Sequence, residues 1–359
     1  MKSRAIRKIV ALVIIAALAV TMAFTLAACN DGGMGLGTGD IAVLVPNADH
    51  GWTGAVMSYA QAYADQLNAE GTYSVRVITS SSAENQMQQI EDIATNKSYK
   101  AVAILPYNTS VGGALEQLVN NDIPFVMCDR IVTALEDAAV GTVRGNNEMI
   151  GELTAQAFIE DYDMQNGDKV AIFFGDSSSV PLARNDGFYS VLAENGFTMD
   201  GNGEYPNVYE SAPTEWSRST ARTYFTNWID SLTVEQIQQY NYIFTHDDEI
   251  AMGIIEALDS GDIDAAKRAA ILDGDVVLAS SSGLQEIYNV MSGKVSQYTD
   301  EVNGFRAMFS VTYPPEMIED AIQMVVDYLN GDELADGGEV IVPVELIDQT
   351  EAATAIGFK

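Results

Sequence analysis

Cysteine and histidine are scarce in this sequence, with two of each in 359 residues. So few cysteines exclude a small domain that depends on several disulfides. Cys128 lies in an apolar stretch, which is typical of an inert buried thiol. A catalytic cysteine needs a histidine beside it, and only His50 and His246 exist. We therefore expect no cysteine-based catalysis.

Basic residues are also few: 18 Lys and Arg stand against 51 Asp and Glu, and the formal net charge is −33. A chain this acidic is repelled by nucleic-acid phosphates and by anionic lipid headgroups. The composition argues against nucleic acid or an anionic membrane surface as a partner, and it favours high solubility.

One long apolar run is present, over residues 9–26, and it follows the basic segment 1–8. A basic start, an apolar stretch and small residues after it are typical of a secretory signal peptide. By length the run could instead be an uncleaved membrane anchor. We predict a signal peptide over residues 1–28 and, over residues 29–39, a flexible tether rich in Gly, Asp and Thr.

Downstream, short apolar runs alternate with amphipathic helical patterns. The segments 40–46, 101–106, 123–128 and 169–175 each contain an unbroken apolar run, as strands buried on both faces do. This alternation predicts βαβ units and parallel sheets. Because the chain is too long for most single cores, we predict an α/β fold of two doubly wound parallel-sheet lobes joined by a hinge.

The lobe boundaries follow from the order of these units. We predict an N-terminal lobe over residues 40–143 and 312–337, and a C-terminal lobe over residues 144–311 and 338–359. The final strand is predicted over residues 340–347.

Polar and aromatic side chains follow several predicted strands, at the edge where open α/β sheets bind ligands. Asp129 and Arg130 come directly after strand 123–128. Asp49, His50 and Trp52 follow the first strand and supply a carboxylate, an imidazole and an indole. Sugars are bound by such a mixture of hydrogen-bonding groups and flat apolar faces.

Other candidates occupy similar places further along the chain. Arg184 opens a helix after strand 169–175, and Asp247 is the better ligand candidate of two adjacent acids. Simpler interpretations remain for some positions: Trp52 could pack into the core, His50 could be solvated, and Arg184 could pair with Asp186 on the surface. We interpret Asp248 as an ordinary helix cap.

Four motifs in order resemble the type I periplasmic binding proteins of sugar ABC transporters, the ribose/galactose-binding group. They are Ile123 to Arg130, Ala183-Arg184-Asn185-Asp186-Gly187-Phe188, Trp216-Ser217-Arg218-Ser219 and the stretch His246 to Gly253. The resemblance covers essentially residue 40 to the C-terminus. In addition, Leu26-Ala27-Ala28-Cys29 resembles the lipobox of bacterial lipoproteins, which implies that Cys29 is lipidated.

The resemblance also implies roles for single residues. Asp129, Arg130 and Arg184 would bind sugar hydroxyls, and Trp52 and Trp216 would sandwich the ring from opposite lobes. The remaining implied ligand contacts are Asp247 in place of the family's usual Asn, Ser282 in place of an Asp, and the hinge-side Tyr313. Tyr107, directly after strand 101–106, is a further predicted ligand contact. A calcium loop like that of the galactose-binding protein has no counterpart, and we expect no metal and no cofactor.

We therefore predict a monomeric extracytoplasmic lipoprotein, held to the membrane by its lipid anchor only. It would deliver a monosaccharide or polyol to an ABC transporter permease by closing its two lobes. One alternative is a receptor for a sugar-like signal. Another is an exported glycosidase that pairs Asp129 with Asp247, which we disfavour because Arg130 should keep Asp129 charged. A repressor is excluded, since the leader stands where a DNA-binding helix pair would be, and we expect no enzyme activity.

Overall fold

The computed structural model describes residues 36–48 and 51–359. The predicted signal peptide, Cys29, Asp49 and His50 lie outside the described residues. Residues 38–359 form one compact unit. Across the described residues, no helix combines the length and the apolar character needed to cross a bilayer.

The first lobe is built on a six-stranded sheet with the order β11-β5-β4-β3-β1-β2. Every pairing in it is parallel, and all residues of β1 are buried. Its strands are β1 (Ile41–Pro46), β2 (Val75–Ser80), β3 (Ala101–Ile104), β4 (Phe125–Cys128), β5 (Gly141–Gly145) and β11 (Glu339–Val342). Its helices are α1 (Gly51–Glu70), α2 (Ala83–Asn96), α3 (Gly112–Asn120) and α12 (Met317–Asn330).

The second lobe contains another six-stranded sheet, with the order β12-β10-β9-β8-β6-β7. Only its edge strand β12 is antiparallel. The strands are β6 (Lys169–Phe173), β7 (Val208–Glu210), β8 (Tyr240–Thr245), β9 (Val277–Ser282), β10 (Ala307–Thr312) and β12 (Leu346–Asp348). The helices are α4 (Asn147–Glu160), α5 (Ser179–Glu194), α6 (Arg218–Ser231), α7 (Val234–Ile237), α8 (Asp248–Asp259), α9 (Ala265–Leu272), α10 (Gln285–Met291) and α11 (Thr299–Gly304). The two sheets confirm the predicted fold class.

The chain passes between the lobes three times: after β5, after β10 and after β11. The last passage differs from the sequence prediction. The single strand expected over residues 340–347 is two strands, separated at Pro343, and they belong to different sheets. Proline has no N–H for a strand ladder. Because Val340 pairs with Val143 of β5, β11 lies in the first lobe, and the prediction that the second lobe resumes at residue 338 is wrong for this strand.

Helices α4 and α5 of the second lobe touch backbone to backbone. A Cβ atom placed at Gly151 would lie 1.8 Å from the carbonyl oxygen of Arg184. A Cβ atom placed at Gly187 would lie 2.0 Å from the carbonyl oxygen of Glu148. Only glycine allows this approach. As a result, the start of α4 and the second turn of α5 lie side by side next to the first passage between the lobes.

We expect Gly187→Ala to destabilise the protein by roughly 1–3 kcal/mol, because the new methyl group meets backbone that has no room to move. Urea unfolding measures the change. The matched control is Gly113→Ala in α3, where a Cβ atom meets nothing within 4 Å. That variant should be neutral or stabilised by up to about 1 kcal/mol, because alanine favours helix. Equal unfolding midpoints for the two variants would contradict the close helix contact.

Candidate functional site

A pocket lies between the lobes, where the carboxyl ends of strands from both sheets meet. The space within it is about 330 Å³, part of which is open to solvent. The first lobe contributes Trp52, Asp129 and Arg130, and the second lobe contributes Val180, Arg184, Trp216, Asp247 and Ser282. Tyr313, directly after β10 at the second passage, completes the lining. A ligand held here would contact both lobes at once.

Among the described residues, every predicted ligand contact lines this pocket except Tyr107. Tyr107 lines a wider outer cavity of about 1040 Å³, also partly open to solvent, which shares Arg130 and Trp216 with the inner pocket. The carbonyl of Tyr107 accepts a hydrogen bond from Nη1 of Arg130 at 2.7 Å. Tyr107 therefore acts on the inner pocket by orienting Arg130.

Asp129 ends β4 in the left-handed backbone region, with φ at 62°. Its Oδ1 accepts a hydrogen bond from the Tyr313 hydroxyl, and its Oδ2 lies 3.8 Å from Nε of Arg130. Burial nevertheless raises the pKa of Asp129, against the opposing effects of Arg130 and the Tyr313 hydrogen bond. Arg130 favours the charged form of Asp129, as expected, but the cost of desolvating a carboxylate in this pocket is larger.

Arg184 is only 2% exposed, so its interpretation as a surface partner of Asp186 is wrong. Its Nε donates to Oδ1 of Asn147 at 3.0 Å. Its Nη1 donates to the carbonyl of His246 and, at 2.9 Å, to Oγ of Ser281. Its guanidinium also lies over the rings of Tyr313 and Trp216, at 5.0 and 5.6 Å from their centroids. Arg184 is thus a fixed cation inside the pocket.

The adjacent acids Asp247 and Asp248 have different roles. Asp247 lines the pocket and caps α8, with its Oδ1 accepting from the Glu249 N–H at 2.8 Å. Its Oδ2 accepts from the Ser282 hydroxyl. Burial, reinforced by the charge of Asp248, raises the pKa of Asp247 to about 7. At neutral pH the Asp247 carboxyl group is therefore partly protonated, so it can either accept or donate a hydrogen bond.

Asp248 is fully buried and is not a simple helix cap, which corrects the sequence interpretation. Its oxygens accept from the hydroxyls of Ser280 and Ser310 at 2.5 and 2.8 Å. They also accept from the N–H groups of Gly283 and Leu284 at 2.8 and 2.7 Å. Asp248 thereby holds the turn after β9 in the conformation that points Ser282 at Asp247.

The two tryptophans lie on opposite sides of the pocket. Trp52 is 6% exposed and Trp216 is 8% exposed. The indole Nε1 of Trp52 donates to the carbonyl of Tyr313 at 2.8 Å, and the two rings are 5.4 Å apart. Trp52 therefore combines both interpretations of its sequence position, because it packs against the second passage and also faces the pocket.

Three residues of the pocket have unusual backbone conformations. Asp129, Trp216 and Ser282 all have positive φ, at 62°, 58° and 135°. Residues other than glycine adopt such values rarely, and they do so most often at functional sites. The strain supports a functional origin for this arrangement.

Sequence analysis missed several residues of the site. Val180 lines the pocket, and Asn147, His246 and Ser281 hold Arg184. Asn147 is the first residue of α4, where an asparagine is ordinary. His246 acts through its main-chain carbonyl, which any residue could supply. No side-chain pattern therefore indicated these contacts.

The raised pKa of Asp247 predicts a pH dependence of stability. The folded protein keeps this proton up to about pH 7, whereas the unfolded chain releases it near pH 4. Between about pH 4 and about pH 7 the folded state binds more protons, so stability falls as the pH rises. Asp247→Asn imitates the protonated side chain and keeps the helix cap. Relative to wild type, its melting temperature should rise across this pH range.

The matched control for this measurement is Asp264→Asn, which alters the exposed cap of α9. It should not reproduce the pH-dependent gain. If the difference in melting temperature between wild type and Asp247→Asn stays constant from about pH 4 to about pH 7, Asp247 is ionised throughout this range.

Comparison with known proteins agrees with this architecture. A family model described as "Periplasmic binding protein domain" matches residues 41–333. No curated protein sequence matches the chain. The fold is similar to that of a galactofuranose binding protein, with a TM-score of 0.68 and 15% identity over 88% of this chain and 96% of the other.

Two further solved structures illustrate the same similarity. One is the arabinose-binding component of a Shewanella ABC transporter, with a TM-score of 0.68 and 17% identity over 88% of this chain and 93% of the other. The second is a Bacillus halodurans solute binding protein with bound myo-inositol, with a TM-score of 0.65 and 18% identity over 89% and 98%. All three structures are described as binding proteins, and the latter two are components of ABC transporters. The resemblance to periplasmic binding proteins is confirmed, and the chain belongs to the periplasmic binding protein domain family.

Proposed function

We propose that this protein binds an uncharged monosaccharide or polyol between its lobes and delivers it to an ABC transporter permease. The observation that carries the proposal is the composition of the inner pocket. Two arginines and two aspartates face the same space beside two tryptophans. Charged hydrogen-bonding groups suit hydroxyls, and indole rings suit the apolar face of a sugar ring.

The charges of the pocket favour a neutral ligand. Arg130 and Arg184 are balanced by Asp129 and Asp247, and Asp176 of the second lobe lies 4.0 Å from Arg130. A ligand with a carboxylate or a phosphate would meet acidic groups, and a ligand with an amine would meet the arginines. Hydroxyl groups both donate and accept hydrogen bonds, so a ligand with hydroxyl groups can bind the arginines and the aspartates together.

The topology supports delivery by hinge motion. Three chain passages join the lobes, and the pocket lies beside the second of them. Lobes joined by a few extended segments can open and close around a ligand as rigid bodies. A closed lobe pair is a shape that a permease could recognise, and a ligand that bridges the two halves favours it.

We further propose that the protein is located on the outer side of a membrane. The signal-peptide pattern and the lipobox-like Leu26-Ala27-Ala28-Cys29 support export and lipidation at Cys29. The acyl chains would hold a monomeric protein at the bilayer, contributing about 0.8 kcal/mol per buried methylene.

Sugar binding is tested by the melting temperature of the protein in a panel of D-galactose, L-arabinose, D-ribose, D-allose and myo-inositol. A ligand that binds only the folded state adds about 2.7 kcal/mol of stability at a hundredfold excess over its dissociation constant. We expect at least one panel member to raise the melting temperature. Charged analogues, such as galacturonate and glucosamine, should give smaller shifts.

Arg184→Lys tests the pocket itself. The variant keeps the charge but loses the planar set of donors. Since hydrogen bonds to charged groups contribute roughly 1.5–3 kcal/mol, the affinity for the bound sugar should fall about tenfold or more, as measured by calorimetry. Arg222→Lys, at the surface pair with Asp262, should bind like wild type. A dissociation constant unchanged in Arg184→Lys would place the sugar elsewhere.

Lipid anchoring is tested by Cys29→Ser. Without the thiol at residue 29 the protein should no longer incorporate a labelled fatty acid. The Cys128→Ser variant is the matched control and should be labelled like wild type, because Cys128 is fully buried. Equal labelling of Cys29→Ser and wild type would contradict lipidation at this residue.

A further inference from the structure

Asn147 is a buried amide that contacts the pocket residues without lining the pocket. It is the first residue of α4, directly after the first passage between the lobes, and it is 6% exposed. Its Nδ2 donates to the Tyr313 hydroxyl at 3.1 Å. Its Oδ1 accepts from Nε of Arg184 at 3.0 Å. Asn147 therefore joins the second passage to the second lobe.

The direction of each hydrogen bond in this chain is determined by chemistry. Arginine can only donate, so the Asn147 atom that faces Arg184 must be the oxygen. The amide nitrogen then faces Tyr313, whose hydroxyl must accept. The single proton of Tyr313 is left for Oδ1 of Asp129. A continuous chain of donors and acceptors thus runs from Asp129 in the first lobe to Arg184 in the second.

This chain determines which atoms remain for a ligand. Nε and Nη1 of Arg184 are occupied by Asn147, Ser281 and the His246 carbonyl. Among the described residues, no acceptor is bonded to Nη2. Oδ1 of Asp129 is occupied by Tyr313, which leaves Oδ2 on the side of Arg130. Arg184 and Asp129 consequently retain one donor nitrogen and one acceptor oxygen, from opposite lobes, for a ligand.

The surrounding backbone holds Asn147 in this position. The contact of α4 with α5 at Gly151 and Gly187 fixes the distance to Arg184. The ring of Tyr313 lies against Gly145, where a Cβ atom would come within 2.1 Å of it. Arg184 and Tyr313 are therefore held in place by separate contacts, and the Asn147 amide forms hydrogen bonds to both of them.

We propose that Asn147 is a positioning residue, which orients Arg184 and Tyr313 for the ligand and couples pocket occupancy to lobe closure. The inference rests on the proposed function, because it assumes that the pocket binds a polyhydroxylated ligand. Asparagine is required because the site needs one donor and one acceptor on a short side chain. Alanine supplies neither group, and an ionised aspartate supplies two acceptors that compete with Asp129 for the Tyr313 proton.

The test compares Asn147→Ala and Asn147→Asp with wild type, using the same sugar panel. Asn147→Ala should weaken binding about tenfold or more at every pH. Asn147→Asp should bind weakly at about pH 8 and approach wild type as the pH falls toward about pH 5. A protonated carboxyl group presents one donor and one acceptor, as the amide does. A residue that only filled space would give no such recovery.

Two controls accompany the variants. Asn146→Ala removes the neighbouring helix cap, whose side chain accepts from the Met149 N–H, so it should lower the melting temperature and leave sugar affinity within about twofold of wild type. Wild type is measured at each pH, because Asp129, Asp176, Asp247, Arg130 and Tyr313 also face Arg184 or the pocket. Only the ratio of variant to wild-type affinity is used.

Small-angle X-ray scattering without sugar tests the role of Asn147 independently of ligand binding. The hydrogen-bond chain joins the lobes, so Asn147→Ala should give a larger radius of gyration than both wild type and Asn146→Ala. Failure of every panel sugar to bind wild type would reject the proposed function. The scattering would then still test whether Asn147 helps to join the lobes. Sugar affinities of both Asn147 variants equal to wild type, or scattering unchanged in Asn147→Ala, would overturn the proposal.

Discussion

The burial of one cation, Arg184, is the constraint on which the pocket depends. A guanidinium removed from water is costly unless acceptors surround it. The structure supplies the Asn147 amide, the Ser281 hydroxyl, the His246 carbonyl and two aromatic faces. Each of these groups comes from a different element, so the elements must meet at one point for the charge to be tolerated. Glycines between α4 and α5 allow that approach, and the same approach brings the first passage between the lobes to the edge of the pocket.

The acids of the pocket show how burial and charge compete. Asp129 stands beside Arg130, yet its pKa is raised, because desolvation outweighs the neighbouring cation. Asp247 gains a further rise from Asp248. Asp248 itself makes four hydrogen bonds and organises the turn that carries Ser282. The two consecutive aspartates therefore have different roles. Asp247 lines the pocket, and Asp248 stabilises the turn behind it.

Much of the architecture was predictable because buried parallel strands leave a strong signal. Unbroken apolar runs such as that ending at Cys128 are typical of strands buried on both faces. Polar residues directly after those runs then fall at the ligand-binding edge, and so most of the predicted site residues line one pocket. The failures came from weaker signals. The segment around Pro343 is short and its residues lie at a sheet edge, so hydrophobicity could not reveal that it crosses from one sheet to the other.

The sequence by itself determined the two-lobed α/β class, most of the strand ends and the residue types available at the pocket, because these follow from local periodicity and chain order. Only the tertiary structure decided which partners those residues have. The roles of Asn147 and of the His246 carbonyl, the burial of Arg184 and the raised pKa of Asp129 all arise from groups distant in the chain that packing brings together. Such contacts leave no local pattern, because their energy depends on three-dimensional distance and desolvation rather than on neighbouring residues.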